Sequence, residues 1–174
     1  MIRAIRLLGD PALRAKARQV ERFDEELSSL VDDLLETMYA AEGVGLAAPQ
    51  IGDPRRVTVI DVSEPRDGSE ALVLVNPRVL EKRGTIASEE GCLSIPGVIE
   101  TIERAAEVDV EYQEREGARL TVSGTELLAR ALQHEIDHLN GILFIDHLGA
   151  LKRRLVVHEF KKALEESNLE VGSS

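Results

Sequence analysis

The chain has 174 residues, 32 acidic against 21 basic side chains for a net charge of −11, and one cysteine. That charge excludes a polyanionic partner such as nucleic acid held over a broad surface. A single cysteine excludes an intrachain disulfide and fits a reducing compartment, and no apolar stretch approaches the roughly 20 residues that span a bilayer.

The length fits one domain over residues 1–174, able to bury about 70% of its unfolded surface in one core. The opening residues alternate basic and apolar types without the apolar core and small-residue cleavage site of a signal peptide, so a mature N-terminus and a cytoplasmic protein are expected. Gly9-Asp10-Pro11 marks a turn, with Pro11 starting a short helical segment through Arg18. Leu27, Leu30, Val31, Leu34, Leu35 and Met38 then follow the spacing of an amphipathic helix over about 25–41, with Asp24 as N-cap.

Gly43 to Gly52 (GVGLAAPQIG) is small and glycine-rich. It lacks the Gly-Lys-Ser/Thr ending of a phosphate loop, so it reads either as a tight turn or as a place where backbone approaches a substrate closely. Arg56–Val62 and Ala71–Val75 are β-branched strands joined by the acidic loop Ser63–Glu70. Asn76-Pro77 is expected to interrupt, with a further strand over Val79–Ala87. Cys92 then sits in EEGCLSIPG among turn-prone residues rather than in an apolar periodic segment, which favours a ligand or nucleophile over packing.

Glu107–Gln113 alternates as a half-buried strand, with Arg119–Ser123 as its hairpin partner. Ser123-Gly124-Thr125-Glu126 has the form of a capping box that opens a helix running to Leu139, and Asn140-Gly141 is its stop. A last amphipathic helix over about 149–166 carries Leu151, Leu155, Phe160 and Leu164, and the tail Val171–Ser174 is expected to fray.

The helix ending at Leu139 holds the chemistry. His134-Glu135-Ile136-Asp137-His138 is an H-E-x-x-H pattern. Residues four apart lie about 40° apart around the axis and one turn apart along it, so both imidazoles can reach one metal ion. Glu135 is rotated about 100° from His134, close enough to reach water at the ion without ligating it. On the wheel Arg130, Gln133 and Asp137 make one polar stripe, with Arg130 at the pocket rim. The histidines lie between that stripe and the apolar face, and Glu135 borders the core. His147 and His158 have no comparable neighbourhood and are expected at the surface.

Two histidines need a third protein ligand to make a catalytic site. The pattern H-E-x-x-H-x-x-G-x-x-H fails because Phe144 stands in the last position. Cys92 upstream remains open, as do Glu159 and Glu165 downstream. An acidic third ligand would make the chain a metalloprotease, and a third reading is a non-catalytic peptide binder.

GVGLAAPQIG at 43–52, EEGCLSIPG at 89–97 and QHEIDHLNG at 133–141, in that order, resemble the three signature motifs of the peptide deformylase family. GDPALRAKA near the start and Leu143–Asp146 are similar as well, so the likeness covers most of the chain. The resemblance implies that Cys92, His134 and His138 bind one divalent metal, Fe2+ natively, with Zn2+, Ni2+ or Co2+ able to occupy the site. It implies Glu135 as general acid/base, with Gln50 and the backbone N–H of Leu93 stabilising the oxyanion. It further implies that an extended N-formylmethionyl peptide or nascent chain pairs with Val44, Gly45 and Gly91, its methionine side chain against Val44 and Leu127, and that formate is released.

The expected fold is α+β: antiparallel β-sheets surrounding the central H-E-x-x-H helix, with N-terminal and C-terminal amphipathic helices outside. A monomer is expected, with no membrane contact. Lys152 to Arg154 and Lys161-Lys162 offer a transient ribosome contact through the C-terminal helix.

Overall fold

A computed structural model describes the backbone of residues 1–172 and the side chains of 1–168. Among these residues there are seven strands and three α-helices: α1 (Glu25–Ala40), β1 (Gly45–Ala47), β2 (Val57–Ile60), β3 (Leu72–Arg83), β4 (Ile86–Cys92), β5 (Ile95–Arg104), β6 (Glu107–Gln113), β7 (Arg119–Thr125), α2 (Glu126–Leu139) and α3 (Ala150–Gly172). A five-stranded antiparallel sheet has the order β1-β2-β3-β6-β7, and β4–β5 is a separate hairpin. The α+β expectation holds.

β2 explains how the layers assemble. All four of its residues are buried, and side chains alternate across a strand. Val57 and Val59 join the α1 cluster with Leu27, Leu30, Val31, Leu34 and Met38, while Ile60 joins the α2 cluster with Leu132 and Ile136. The two helices therefore cover opposite faces of the sheet. α1 starts as its sequence predicts, with the Asp24 carboxylate accepting from Leu27 N at 3.0 Å. The β4–β5 hairpin packs with Leu13, Phe144, Ile145 and the α3 residues Val156 and Phe160 in a third cluster.

Several expectations need correction. The segment after Pro11 is a single 3-10 turn, Pro11–Arg14, and does not reach Arg18. Asn76-Pro77 does not interrupt: β3 passes through it with a register shift between Val75 and Arg78. Asn76 takes a left-handed φ of 51° and its amide replaces the missing ladder, accepting from Val20 N and donating to Val20 O and Gln113 Oε1, while Pro77 sits where no N–H is needed. The strand expected over Val79–Ala87 is thus the end of β3 and the start of β4.

The capping box is not used either. Pairing with β6 carries β7 as far as Thr125, so Ser123 is a strand residue whose hydroxyl donates to Asp109, and the helix begins at Glu126 with no side-chain cap. The C-terminal stop does hold. Asn140 is the C-cap, and Gly141 has φ 74° where a Cβ would lie 2.6 Å from Arg14 O.

α3 continues beyond 166 to Gly172, and its buried stripe is Val156 and Phe160 with Leu164 partly covered. Leu151 and Leu155, read as core-facing, are 68% and 55% exposed, because the hairpin meets the helix about one residue round from that leucine face. The fraying expected over Val171–Ser174 concerns residues whose side chains lie outside those described. Among the described residues no helix is long and apolar enough to cross a membrane.

Candidate metal centre and active site

α2 lies between the large sheet and the β4–β5 hairpin, and the site forms where these meet. Cys92 is the last residue of β4, and Leu93-Ser94 makes the two-residue turn into β5, with Cys92 paired to Ile95. This tight turn holds the thiol against α2. Cys92 Sγ lies 3.3 Å from His138 Nε2, which is 3.2 Å from His134 Nε2, and all three donor atoms lie within 4.8 Å of one another. Ligand bonds of about 2.0–2.1 Å to nitrogen and about 2.3 Å to sulfur at a tetrahedral centre put the donors about 3.3–3.6 Å apart. One soft sulfur and two imidazoles at this spacing fit a divalent metal. Glu159 and Glu165 are exposed on α3 and lie outside the cluster.

Beside the donors is a cavity of about 400 Å³. Of the residues singled out in the sequence, Val44, Gly45, Gln50, Gly91, Cys92, Leu93, Leu127, His134 and Glu135 line it. His138 is 1% exposed and sits behind the cavity wall. Val44 and Leu127 are partly open to solvent at its mouth.

The glycine-rich segment is a piece of strand, β1, followed by a 3-10 turn over Ala48–Ile51. A Cβ on Gly45 would stand 2.7 Å from Glu135 Oε1, so this backbone touches the carboxyl directly. The Gln50 amide has a fixed orientation. Its Oε1 accepts from Ala47 N at 2.9 Å, which turns Nε2 toward Ser94 Oγ at 3.0 Å and Cys92 Sγ at 3.7 Å. One N–H thereby faces the Cys92 sulfur. Ser94, fully buried, had no role in the sequence reading.

A buried ion network was missed as well. Glu90 accepts from Arg104 Nη2 at 2.6 Å and Arg130 Nη1 at 2.6 Å, and its Oε1 meets His134 Nδ1 at 2.5 Å. Arg104 also donates to Asp137, which meets His147 Nε2 at 2.8 Å. The polar stripe of Arg130, Gln133 and Asp137 therefore faces the hairpin, and Arg130 also lines the cavity as the wheel expected. Arg130 is 8% exposed, and the Gln133 amide bonds both the N–H and the C=O of Ala105. These residues dock α2 onto the hairpin. A signal was present in Glu89-Glu90: adjacent residues on a strand face opposite sides, so one of the two had to point inward. His147 and His158 are both exposed as expected, His147 also being tied into this network.

The electrostatics follow from burial and partners. Burial alone would raise Glu90, yet Arg104 and then His134 hold its carboxyl well below the usual range. Burial pushes the Glu135 carboxyl up to about 7, against the opposing pull of His134 and Thr58. Burial opposes charge on His134, but the hydrogen bonds it donates to Cys92 and Glu90 outweigh it and favour the imidazolium when no ion is bound. His138 is held low by burial and by the charge of His134. With Glu90 on Nδ1, His134 keeps its proton there and presents the Nε2 lone pair to the donor cluster.

Comparison with known proteins gives a consistent picture. A family model described as polypeptide deformylase matches residues 2–154. The peptide deformylase of Acidobacterium capsulatum is 49% identical over 162 residues, 93% of this chain and 95% of that one. That of Agrobacterium fabrum is 49% identical over 93% of this chain and 96% of its own. Among solved structures, the peptide deformylase from Legionella pneumophila superposes with a TM-score of 0.91 at 46% identity, covering 97% of this chain and 98% of that one. One from Synechococcus elongatus in complex with actinonin gives 0.83 at 41% identity over 90% of this chain and 85% of that one. With the family matched from residue 2 to residue 154 and these relatives alike end to end, the chain belongs to the polypeptide deformylase family.

Proposed function

We propose that this chain, as one domain over residues 1–174, removes the formyl group from the N-terminal formylmethionine of newly made polypeptides and releases formate. The observation that carries the reading is convergence: one sulfur and two imidazole nitrogens lie within 4.8 Å of each other, with Cys92, His134 and the buried Glu135 carboxyl on the wall of one cavity and His138 just behind it.

Cys92, His134 and His138 would hold one divalent ion, natively Fe2+, with Zn2+, Ni2+ or Co2+ able to replace it. Bound there, the ion supplies Lewis acidity that brings the pKa of water at the site toward about 7. Glu135 accepts the proton of the attacking water and returns it to the departing amine nitrogen. Gln50 Nε2 and the Leu93 backbone N–H donate to the formyl oxygen as it gains charge. Loss of one such donor costs about 3 kcal/mol.

The backbone at Val44, Gly45 and Gly91 pairs with the extended peptide, which accounts for the small residues there. Val44 and Leu127 receive the methionine side chain. The exposed basic residues Lys152, Arg153, Arg154, Lys161 and Lys162 on α3 offer a transient ribosome contact. The protein works as a cytoplasmic monomer without membrane contact.

The test is formate release from a formyl-Met tripeptide, run anaerobically with iron or after nickel replacement. Release well above a Glu135→Ala control is expected, and release no greater than that control overturns the reading. Cys92→Ala should lose stoichiometric metal, whereas full retention would overturn Cys92 as the third ligand.

A further inference from the structure

β2 is buried along its whole length, and Thr58 is its one polar side chain. A valine has the same shape and brings no polar group into the core, so the hydroxyl needs a reason. Thr58 Oγ1 lies 2.8 Å from Leu46 O and 3.4 Å from Glu135 Oε2. The hydroxyl carries one proton and gives it mainly to Leu46 O on β1, so its contact with Glu135 Oε2 is the longer arm of a shared hydrogen bond. Among the described residues Thr58 is the one side-chain hydrogen-bond partner of Glu135.

The other carboxyl oxygen has a different neighbour. A Cβ on Gly45 would stand 2.7 Å from Oε1, so that oxygen lies against the backbone of a cavity-lining residue. Packing of this kind limits translation of the carboxyl. It does little to stop rotation about the last bond, whose torsional preference is broad in glutamate. The shared hydrogen bond from Thr58 Oγ1 biases it toward the rotamer with Oε2 against β2.

We propose that Thr58 is a positioning residue for Glu135, holding Oε2 toward β2 so that Oε1 faces the cavity for proton transfer. This rests on Glu135 acting as the general acid/base. Thr58 touches neither the substrate nor the donor cluster, so its loss acts on turnover rather than on peptide or metal binding.

The experiment compares Thr58→Val and Thr58→Ser with the wild-type metal-loaded enzyme in the formyl-Met tripeptide assay. Metal content and thermal midpoint are measured on each. Thr58→Val should lower kcat about tenfold with KM changed less than about twofold and metal stoichiometry retained. Thr58→Ser, which keeps the hydroxyl, should recover most of that loss.

A Thr58→Val enzyme with wild-type kcat overturns the proposal. So does one in which KM, metal content and thermal midpoint deteriorate together with kcat, which marks a purely structural threonine. If Thr58→Val does not fold, Thr58→Ala is read in the same way. Failure of the acid/base reading shows separately, as a Glu135→Ala enzyme no slower than wild type.

Discussion

A methyl group at Gly45 has nowhere to go except into the Glu135 carboxyl, 2.7 Å away. The obstructed atom is the end of a flexible side chain, so the fold can absorb the change while the carboxyl moves. With Glu135 as the proposed acid/base, Gly45→Ala is expected to keep a near wild-type thermal midpoint and lose about tenfold or more in kcat/KM, since small displacements of a reacting group are expensive. Formate release beside a thermal melt checks both halves. A second residue-scale feature is the Tyr39 hydroxyl, which donates to Asp61 Oδ2 at 2.5 Å. Burial, then Asp61, pushes its pKa up to about 12. The fold thus favours the neutral phenol, so this contribution to stability is complete below about pH 10 and is lost as pH rises from there toward 12. Tyr39 and Tyr112 are the only tyrosines, tryptophan is absent, and Tyr112 is also raised by burial. Phenolate absorbance should therefore appear above pH 10 in the folded protein and near pH 10 after unfolding. Coincident folded and unfolded titrations would contradict this, and Tyr39→Phe should remove the later-titrating component.

Among the elements, α2 and the β4–β5 hairpin are joined mainly through Glu90, a buried carboxylate shared by Arg104, Arg130 and His134. Removing one partner of such a network leaves buried charge uncompensated, at a cost of about 3–5 kcal/mol. Glu90→Ala is expected to lower stability by that order in denaturant unfolding. It should also weaken metal binding about 10- to 100-fold in a chelator competition, because His134 loses the acceptor on its second nitrogen. A Glu90→Ala enzyme with wild-type metal affinity would reduce the network to a structural tie. The same element shows where periodicity misleads. The wheel separates polar from apolar positions on α2 correctly, but it cannot say that the polar stripe faces a hairpin rather than water. The helix start was missed for a related reason: Ser123 to Glu126 has the composition of a cap, and strand pairing with β6 claims those residues first.

For the molecule as a whole, the donor set joins residue 92 of the hairpin to residues 134 and 138 of α2, so an ion held there would cross-link two layers of the fold. A ligand that binds only the folded state at about 100 times its dissociation constant adds about 2.7 kcal/mol. For a chain of this size that corresponds to a rise of roughly 5–10 °C in the thermal midpoint. Chelation should lower the midpoint by that amount, and re-addition of Ni2+ should restore it. In Cys92→Ala the ion-dependent part should largely vanish. A midpoint indifferent to chelator in the metal-loaded wild type would show that the three side chains do not hold an ion strongly.

The sequence by itself determined the elements whose signals are local: α1 with its Asp24 cap, the β6–β7 hairpin, the Gly141 stop, and the face of α2 that carries His134, Glu135 and His138. Cys92 stood out because the sequence sets it among turn-prone residues rather than in an apolar periodic segment, but its partnership with the two histidines came from family likeness rather than from spacing. Only the tertiary structure decided which polar groups are buried together. Glu90 with Arg104 and Arg130, Ser94 with Gln50, and Thr58 with Glu135 are pairs separated by 14 to 77 positions in the chain. Periodicity reports the face a residue occupies. What that face meets depends on how the layers stack, and it is there that a buried polar group finds the partner its burial requires.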